Sequence, residues 1–435
     1  MLQHMNYSPE TAFLSKEEIT ALQEKKLQET IAYLNTYSPF YKEFFSKARF
    51  NPSGIKTMED LRVIPVTIKE DLQQRNEDFL CVPREKIIEY SSTSGTLGNP
   101  VTIMLTQNDL ERLACNEYAS FVSTESTVHD VFQMMLTLDR QFMAGMAYYS
   151  GLQKLGAGII RLGPGVPSLQ WETILRLKPT AIIAVPSFIV KLISYAQEHH
   201  IDINSTTVKK AICVGENIRN ADFTLNPLGK KITDAWNIKL YSTYASTEMQ
   251  TAFTECTECK GGHLQPDLLI VELLDEMGKA VAPGEPGEVT ITTLGVEGMP
   301  LLRYKTGDIC VYDDTPCACG RNSLRLSPVM GRKKQMLKYK GTTLYPPALF
   351  DILHEMENVI DYVAEVSSNE MGTDEVLIYI VPDNYDEETN RKIRANLQAR
   401  LRVSPHVKYI TEEEIKKMQM PEAGRKIIRF IDRRN

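Results

Sequence analysis

"YSSTSGTLGNPVTI" occupies residues 90–103 and holds six Ser/Thr hydroxyls and two glycines with no charged side chain. Strand-like "KIIEYSS" runs into "TSGTLGNP", where Gly95 and Gly98 let the backbone curl and turn N–H groups toward an anion. Ser91, Ser92, Thr93, Ser94 and Thr96 add neutral donors. The lysine of a Walker loop, G-x-x-x-x-G-K-[ST], is missing. No G-x-S-x-G elbow occurs either, which argues against Ser94 as a hydrolase nucleophile. Neutral donors suit a phosphate chain that must later leave; the plain alternative is a Ser/Thr-rich surface turn.

Outward from this loop, from about 88 to 330, short apolar runs alternate with helical stretches: "VFQMML" (131–136), "GAGIIRLG" (156–163), "TAIIAVPS" (180–187) and "KAICVGE" (210–216). That alternation predicts βα units around a largely parallel sheet, an α/β fold. "LLIVELLD" (268–275) and "GEVTITTL" (287–294), punctuated by Pro and Gly, predict an antiparallel β-region. Upstream, residues 16–46 are charged and helical in pattern, ending at "SPFY" (38–41).

After about 333 the style changes. Pro346-Pro347 opens a helix, "YVAEVSS" (362–368) and "EVLIYIVPD" (375–383) read as strands, and Ile393, Leu397 and Leu401 share a helical face. Two domains are expected, 1–333 and a small α+β unit, 334–435. At 435 residues the chain is too long for one ordinary core. The net charge of −7 argues against nucleic acid as a main partner, and no apolar stretch approaches the ~18 residues of a membrane span. Without a basic, then apolar, N-terminal segment, a cytoplasmic location is expected.

Four further stretches carry chemistry. In "YSTYASTEMQ" (241–250), Tyr244 can pack on a base, Thr247 can bond a phosphoryl oxygen and Glu248 can ligate Mg²⁺ through oxygen. Asp308, after the glycine of "LLRYKTGDIC" (301–310), is placed to accept two hydroxyl hydrogen bonds; the alternative is an Asx-turn. "GRKKQMLKYKGTTLYP" (331–346) lies where the composition changes and is a hinge candidate. "EAGRKIIRFIDRR" (422–434) contains Lys426 in a basic run whose plain reading is a solvated face. Of eight cysteines, Cys81, Cys115, Cys213 and Cys310 are scattered and read as small buried hydrophobes. "CTECKGGH" (256–263) and "CACGR" (317–321) instead offer Cys256, Cys259, His263, Cys317 and Cys319, five candidates for a four-coordinate zinc.

The order and spacing of these motifs, with "NTYSPFYKEFF", "IPVTIKEDL", "LQKLGAGII", "AVPSFIVKL", "CVGENI", "YASTE" and "RYKTGD", resemble the phenylacetate–CoA ligase family of the adenylate-forming superfamily, over nearly the whole chain. The resemblance implies a two-step reaction: a carboxylate and MgATP give an acyl-adenylate and pyrophosphate, then the thiol of coenzyme A (CoA) takes the acyl group. It implies that the loop from Ser91 to Gly98 holds the β- and γ-phosphates, Thr247 the α-phosphate and Glu248 the magnesium. Tyr244, Ala245 and Ser246 with Gly215-Glu216 border the adenine site, and Asp308 takes the ribose hydroxyls with Arg332 beside it. Lys426 corresponds to a mobile lysine that neutralises charge at the attacked phosphate. Lys334 corresponds to the hinge, and Lys340 and Gly341 line the CoA channel after a domain swing.

Relatives show C-x₆-H followed by C-x-C-G-R, which selects Cys256, His263, Cys317 and Cys319 for a structural zinc and leaves Cys259 spare. The family label points to an aryl or arylacetic acid, and Phe142, Met146 and Tyr148 offer an apolar, aromatic lining that equally suits a core. Ala245 stands where the family has glycine, which makes the acyl pocket shallower. The resemblance also suggests a homodimer. Transfer to a carrier protein or amine, and a silent nucleotide-binding protein, are the competing readings.

Overall fold

The computed structural model describes residues 7–93, 100–339, 342–368, 374–401, 405–420 and 427–434, with the side chains of 338–339, 342–344 and 401 outside that description. Five strands in the order Lys239–Ser246, Lys210–Cys213, Ala181–Ala184, Val131–Met134 and Gly158–Arg161 run parallel. Each middle strand is a short apolar run because helices cover both faces. On one face Trp171 and Trp236 pack with Ile182, Ala211 and Leu240; on the other Phe121, Phe132 and Tyr148 pack with Ile183 and Ile212. Beyond Lys239–Ser246 the sheet continues with antiparallel Thr251–Glu255 and the short strands Gly262–His263, Arg325–Leu326 and Tyr312–Asp313.

A second, antiparallel sheet joins Leu269–Leu274, Gly287–Thr293, Tyr304–Cys310 and Gly331–Arg332. The N-terminal helices cover it. Leu27, Ile31, Leu34, Phe40, Tyr41 and Phe45 share one core with Leu269, Ile291 and Leu302. Thr11 Oγ1 donates to Asp267 at 3.1 Å, Gln23 Nε2 to the Leu269 carbonyl at 2.9 Å and Tyr33 Oη to the Glu297 carbonyl at 2.9 Å. "SPFY" does not end the helical region as expected: Lys16–Tyr37 stops, and Ser38 caps a new helix, Pro39–Lys47, by accepting from Tyr41 N at 3.3 Å. Ser-Pro ends one helix and starts the next because proline at N1 needs no N–H partner.

From Leu337 on the chain builds another core, in which Leu349, Tyr362, Ile378, Ile393 and Leu397 meet over a four-stranded sheet. Val359–Ser368 and Asp374–Pro382 pair antiparallel, His406–Tyr409 and Phe430–Asp432 flank them in parallel, and Pro346–His354 and Glu387–Leu401 are helices. No described helix is long and apolar enough to cross a membrane.

Helices Gln107–Ser123 and Met143–Leu155 approach so closely that a Cβ at Gly151 would lie 2.4 Å from the Glu117 Cβ. Glu117 is buried there, its Oε2 without a hydrogen-bond partner among the described residues. Burial pushes its carboxyl up to about 8 from 4.5, only partly offset by the Ser120 side chain. Between those values the unfolded chain releases this proton and the folded chain keeps it, so stability falls as pH rises from about 4.5 to 8. Glu117→Gln is expected to flatten the melting temperature between pH 5 and 8, removing at most about 5 kcal/mol of pH-dependent destabilisation. An unchanged slope would reject a protonated Glu117.

Candidate active site and metal cluster

Ser187, Glu216 and Tyr244 all lie at or just beyond the carboxyl ends of parallel strands, where open α/β sheets bind ligands. Tyr244 reaches from this sheet to the second one, donating its hydroxyl to Asp308 Oδ2 at 2.9 Å. Asp308 and Arg332 are cross-strand partners, and Arg332 Nε donates to Asp308 Oδ1 at 3.0 Å. Asp308 is buried while the Arg332 side chain stays half exposed. Burial, then the adjacent Asp308 charge, push the Tyr244 hydroxyl well above its ordinary range, so it remains a donor at neutral pH. The structure thus brings Tyr244, Asp308 and Arg332 into one cluster that sequence alone could only list.

Thr247 and Glu248 lie in the turn between Lys239–Ser246 and Thr251–Glu255, both half-buried. Ser246 Oγ accepts from Met249 N at 3.2 Å, and Ala245 is exposed. The turn is held from below by Arg112, which sequence reading missed. Fully buried, it donates to the carbonyls of Gln250 at 2.7 Å, Leu294 at 2.9 Å and Leu268 at 2.5 Å. Glu248 also contributes to keeping the Arg332 guanidinium charged, after the larger effect of Asp308.

The hydroxyl-rich loop is carried by a β-hairpin, Ile87–Ser92 with Thr102–Thr106. Thr93 N donates to the Val101 carbonyl at 2.9 Å, and Thr93 Oγ1 accepts from Val101 N at 2.9 Å. Ser91, fully buried, donates to Glu89 Oε1 at 3.0 Å, and Ser92 is buried with its N–H on the Gln141 carbonyl. Ser91 and Thr93 therefore build the stem, a duty the hydroxyl count could not separate from ligand binding. Ser94, Gly95, Thr96 and Gly98 lie outside the described residues, as do Lys340, Gly341 and Lys426.

Gly215 takes φ +83°, a conformation glycine adopts freely, two residues after Lys210–Cys213 ends. The next residue, Glu216, accepts from Ser187 N at 2.8 Å and Ser187 Oγ at 3.0 Å. It also faces Arg429 across 3.6 Å. Arg429 belongs to the basic run read as a solvated face, yet only 11% of its side chain is exposed. Lys334 forms an ion pair with Glu70, and Arg434 donates to the carbonyls of Lys334 at 3.0 Å and Met336 at 2.8 Å.

Of the proposed acyl lining, Tyr148 turns inward. It is 1% exposed among Phe121, Phe132 and Leu152, and its hydroxyl lies 3.1 Å from Thr243 Oγ1. Of the two readings that the sequence left to this lining, these are the contacts of the core one: a helix whose neighbours on both sides are apolar does not announce which aromatic faces the core. Phe142, the extended residue before helix Met143–Leu155, and Met146 in its first turn remain half-buried.

Cys256, His263, Cys317 and Cys319 place one ligand atom each within 4.8 Å of one another. Cys256 and Cys317 sulfurs are 3.7 Å apart, and Cys319 Sγ lies 3.5 Å from His263 Nε2. A tetrahedral zinc with Zn–S bonds near 2.3 Å separates its sulfurs by about 3.8 Å, so the donor set and its spacing fit that ion. His263 Nδ1 is 3.3 Å from Ser323 Oγ, an outer contact that orients the ring. Cys259 takes φ +54° and points its sulfur to the Leu240 carbonyl, away from the four. The cluster sits where Gly262–His263 meets the 317–319 turn. Arg321 there lies over the Phe13 ring at 4.7 Å, and Asn322 donates to the carbonyls of Phe13 and Leu14.

A parallel sheet covered on both faces and a second antiparallel sheet are joined by the Tyr244–Asp308 contact, and the sequence pattern of the AMP-binding enzyme family matches residues 54–298. The match spans more than half of the chain, and the chain belongs to that family. Phenylacetate–coenzyme A ligase of Thermus thermophilus is 29% identical over 380 residues, covering 85% of this chain and 83% of the relative. The Escherichia coli enzyme described by the same words is 27% identical over 359 residues, covering 79% and 78%. Among solved structures, 2-hydroxyisobutyryl-CoA ligase in its postadenylation state shares the fold with a TM-score of 0.83 at 22% identity, over 98% of this chain and 91% of that one.

Proposed function

We propose that this protein joins an aryl or arylacetic acid to CoA. The coarser activity, ATP-dependent acid–CoA ligation through an acyl-adenylate, follows from the family and from the phenylacetate–CoA ligase relatives. A carboxylate oxygen attacks the α-phosphorus of ATP and the bond to pyrophosphate breaks. The CoA thiolate then attacks the acyl carbon, and AMP leaves. The single observation that carries the site reading is the Tyr244–Asp308–Arg332 cluster, in which a buried carboxylate links the parallel sheet to the antiparallel one.

In this reading Asp308 takes the ribose hydroxyls, Tyr244, Ala245, Ser246, Gly215 and Glu216 border the base, and Thr247 bonds the α-phosphate. The hairpin loop from Ser91 to Gly98 holds the outer phosphates. Glu248 would hold Mg²⁺, which supplies charge neutralisation to the phosphate chain. Phe142, Met146, Tyr148 and Ala245 border the acid. Residues 1–333 and 334–435 move as two domains about Lys334, and Lys340 and Gly341 line the CoA channel. Cys256, His263, Cys317 and Cys319 hold a structural zinc. We place the protein in the cytoplasm as a homodimer, with small molecules rather than nucleic acid or membranes as its partners.

Exchange of labelled pyrophosphate into ATP, dependent on aryl or arylacetic acid and followed by CoA-driven AMP release, tests the reading. Exchange without a CoA response transfers the acyl group to another acceptor; exchange with short aliphatic acids alone removes the aromatic assignment. Asp308→Ala is expected to raise the KM for ATP by about 10- to 100-fold, since it removes a charge-assisted acceptor from the ribose and leaves Arg332 unpaired. A fall in kcat at unchanged KM would move Asp308 out of ground-state nucleotide binding.

A further inference from the structure

Arg429 lies between two carboxylates from opposite sides of residue 334. Its Nη1 is 3.0 Å from Asp361 Oδ1, its Nε is 3.6 Å from Glu216 Oε1, and its guanidinium covers the Tyr362 ring at 4.7 Å. Asp361 in turn meets a second cation from the N-terminal side, Lys191 of helix Pro186–Glu198, at 3.7 Å. Charges therefore alternate across the junction: Glu216, Arg429, Asp361, Lys191. Each carboxylate is braced on its own side, Glu216 by Ser187 and Asp361 by Gln419 Nε2 at 2.8 Å. Beside them Asn226, which caps helix Pro227–Ala235, donates to Asp351 of helix Pro346–His354 at 3.1 Å.

We propose that this alternating row is the latch that holds the C-terminal sheet in its adenylating arrangement, with Arg429 and Lys191 as positioning residues. Glu216 directly follows Gly215 in the loop assigned to the adenine border, so one carboxylate serves both the nucleotide side and the docked sheet. Rotation about Lys334 carries Arg429 and Asp361 away from Glu216 and Lys191 together, so the latch opens as a unit when the enzyme passes to thioester formation. The inference rests on the two-domain ligase reading above.

Lys191→Glu is the discriminating variant, because its side chain is 41% exposed on a helix whose core residues are untouched. It sets a carboxylate against Asp361 and should slow acid-dependent pyrophosphate exchange by about ten-fold or more. Thioester formation from supplied acyl-adenylate and CoA should not slow. Added salt should restore part of the exchange by screening the new repulsion, and Lys191→Arg should behave as the parent. Amide hydrogen exchange over 185–193 and 214–219, read in Lys191→Glu and Glu216→Gln, needs no turnover and should be faster than in the parent. Unchanged hydrogen exchange, or equal slowing of both half-reactions without a salt effect, overturns the latch. Faster hydrogen exchange in a protein that turns over no acid supports the latch and removes the ligase reading instead.

Discussion

Lys426→Ala is expected to slow acid-dependent pyrophosphate exchange by about 100- to 1,000-fold, the usual effect of deleting one preorganised group that stabilises developing charge. Its assignment comes from the match of "EAGRKIIRFIDRR" to the family's mobile lysine. Attack on the α-phosphorus concentrates negative charge on oxygens that a neutral side chain cannot compensate. The second half-reaction places no such demand on it, because AMP departs from an acyl carbon. Thioester formation from supplied acyl-adenylate should therefore continue in the variant. Equal loss in both steps would make Lys426 a structural residue, and normal exchange would remove it from the site. Lys426→Arg keeps the charge but changes its shape, and full activity in that variant would show that charge suffices.

Cys317→Ser is expected to reduce bound zinc from about one equivalent to near zero and to lower the melting temperature by about 5 °C. The four donors hold together chain segments more than fifty residues apart, and the Cys317 turn also carries Arg321 against Phe13. Losing one thiolate opens a coordination position and loosens both attachments, while Asp308 and Tyr244 stay in place on other strands. The KM for ATP should consequently move little at temperatures below melting. Elemental analysis of the purified variant settles the metal; a normal zinc content would dismiss the site. Against burial, which acts upward, hydrogen bonds from His263 and Arg321 draw the Cys319 thiol below its ordinary value, which favours the thiolate that zinc takes.

The parallel strands were legible because a strand covered on both faces must be apolar at every position, and "AIIA" at 181–184 is. The antiparallel pair Leu269–Leu274 and Gly287–Thr293 was legible from its turn residues. The cysteine–histidine cluster was nearly so, since two close cysteine pairs followed and preceded by ligand-type spacing point to a metal, and the fold separates Cys259 from the four. What sequence could not supply was partnership at a distance. Arg429 looks like any member of a basic run until Glu216, more than two hundred residues earlier, is seen opposite it. Arg112 sits in an ordinary helix, and only its three carbonyl partners show that it supports the Thr247–Glu248 turn. Tyr148 carried two readings for the same reason: helical spacing gives a face, while the layer behind it decides whether that face is core or cleft.

The N-terminal helices have a consequence for the order of events on the ribosome. Leu27, Ile31 and Phe45 have their core partners at Leu269, Ile291 and Leu302, and Gln23 and Tyr33 have their acceptors at Leu269 and Glu297. At synthesis rates of about 5–20 residues per second, those early helices wait on the order of ten seconds or more for the strands that cover them. During that interval Phe40 and Tyr41 already have Phe79, at 4.0 and 5.5 Å, while Leu27 and Ile31 still lack the late strands of their core. The parallel sheet, complete once residue 246 has emerged, can form meanwhile. Assembly therefore closes backwards, the first-made segment docking after the middle of the chain has folded.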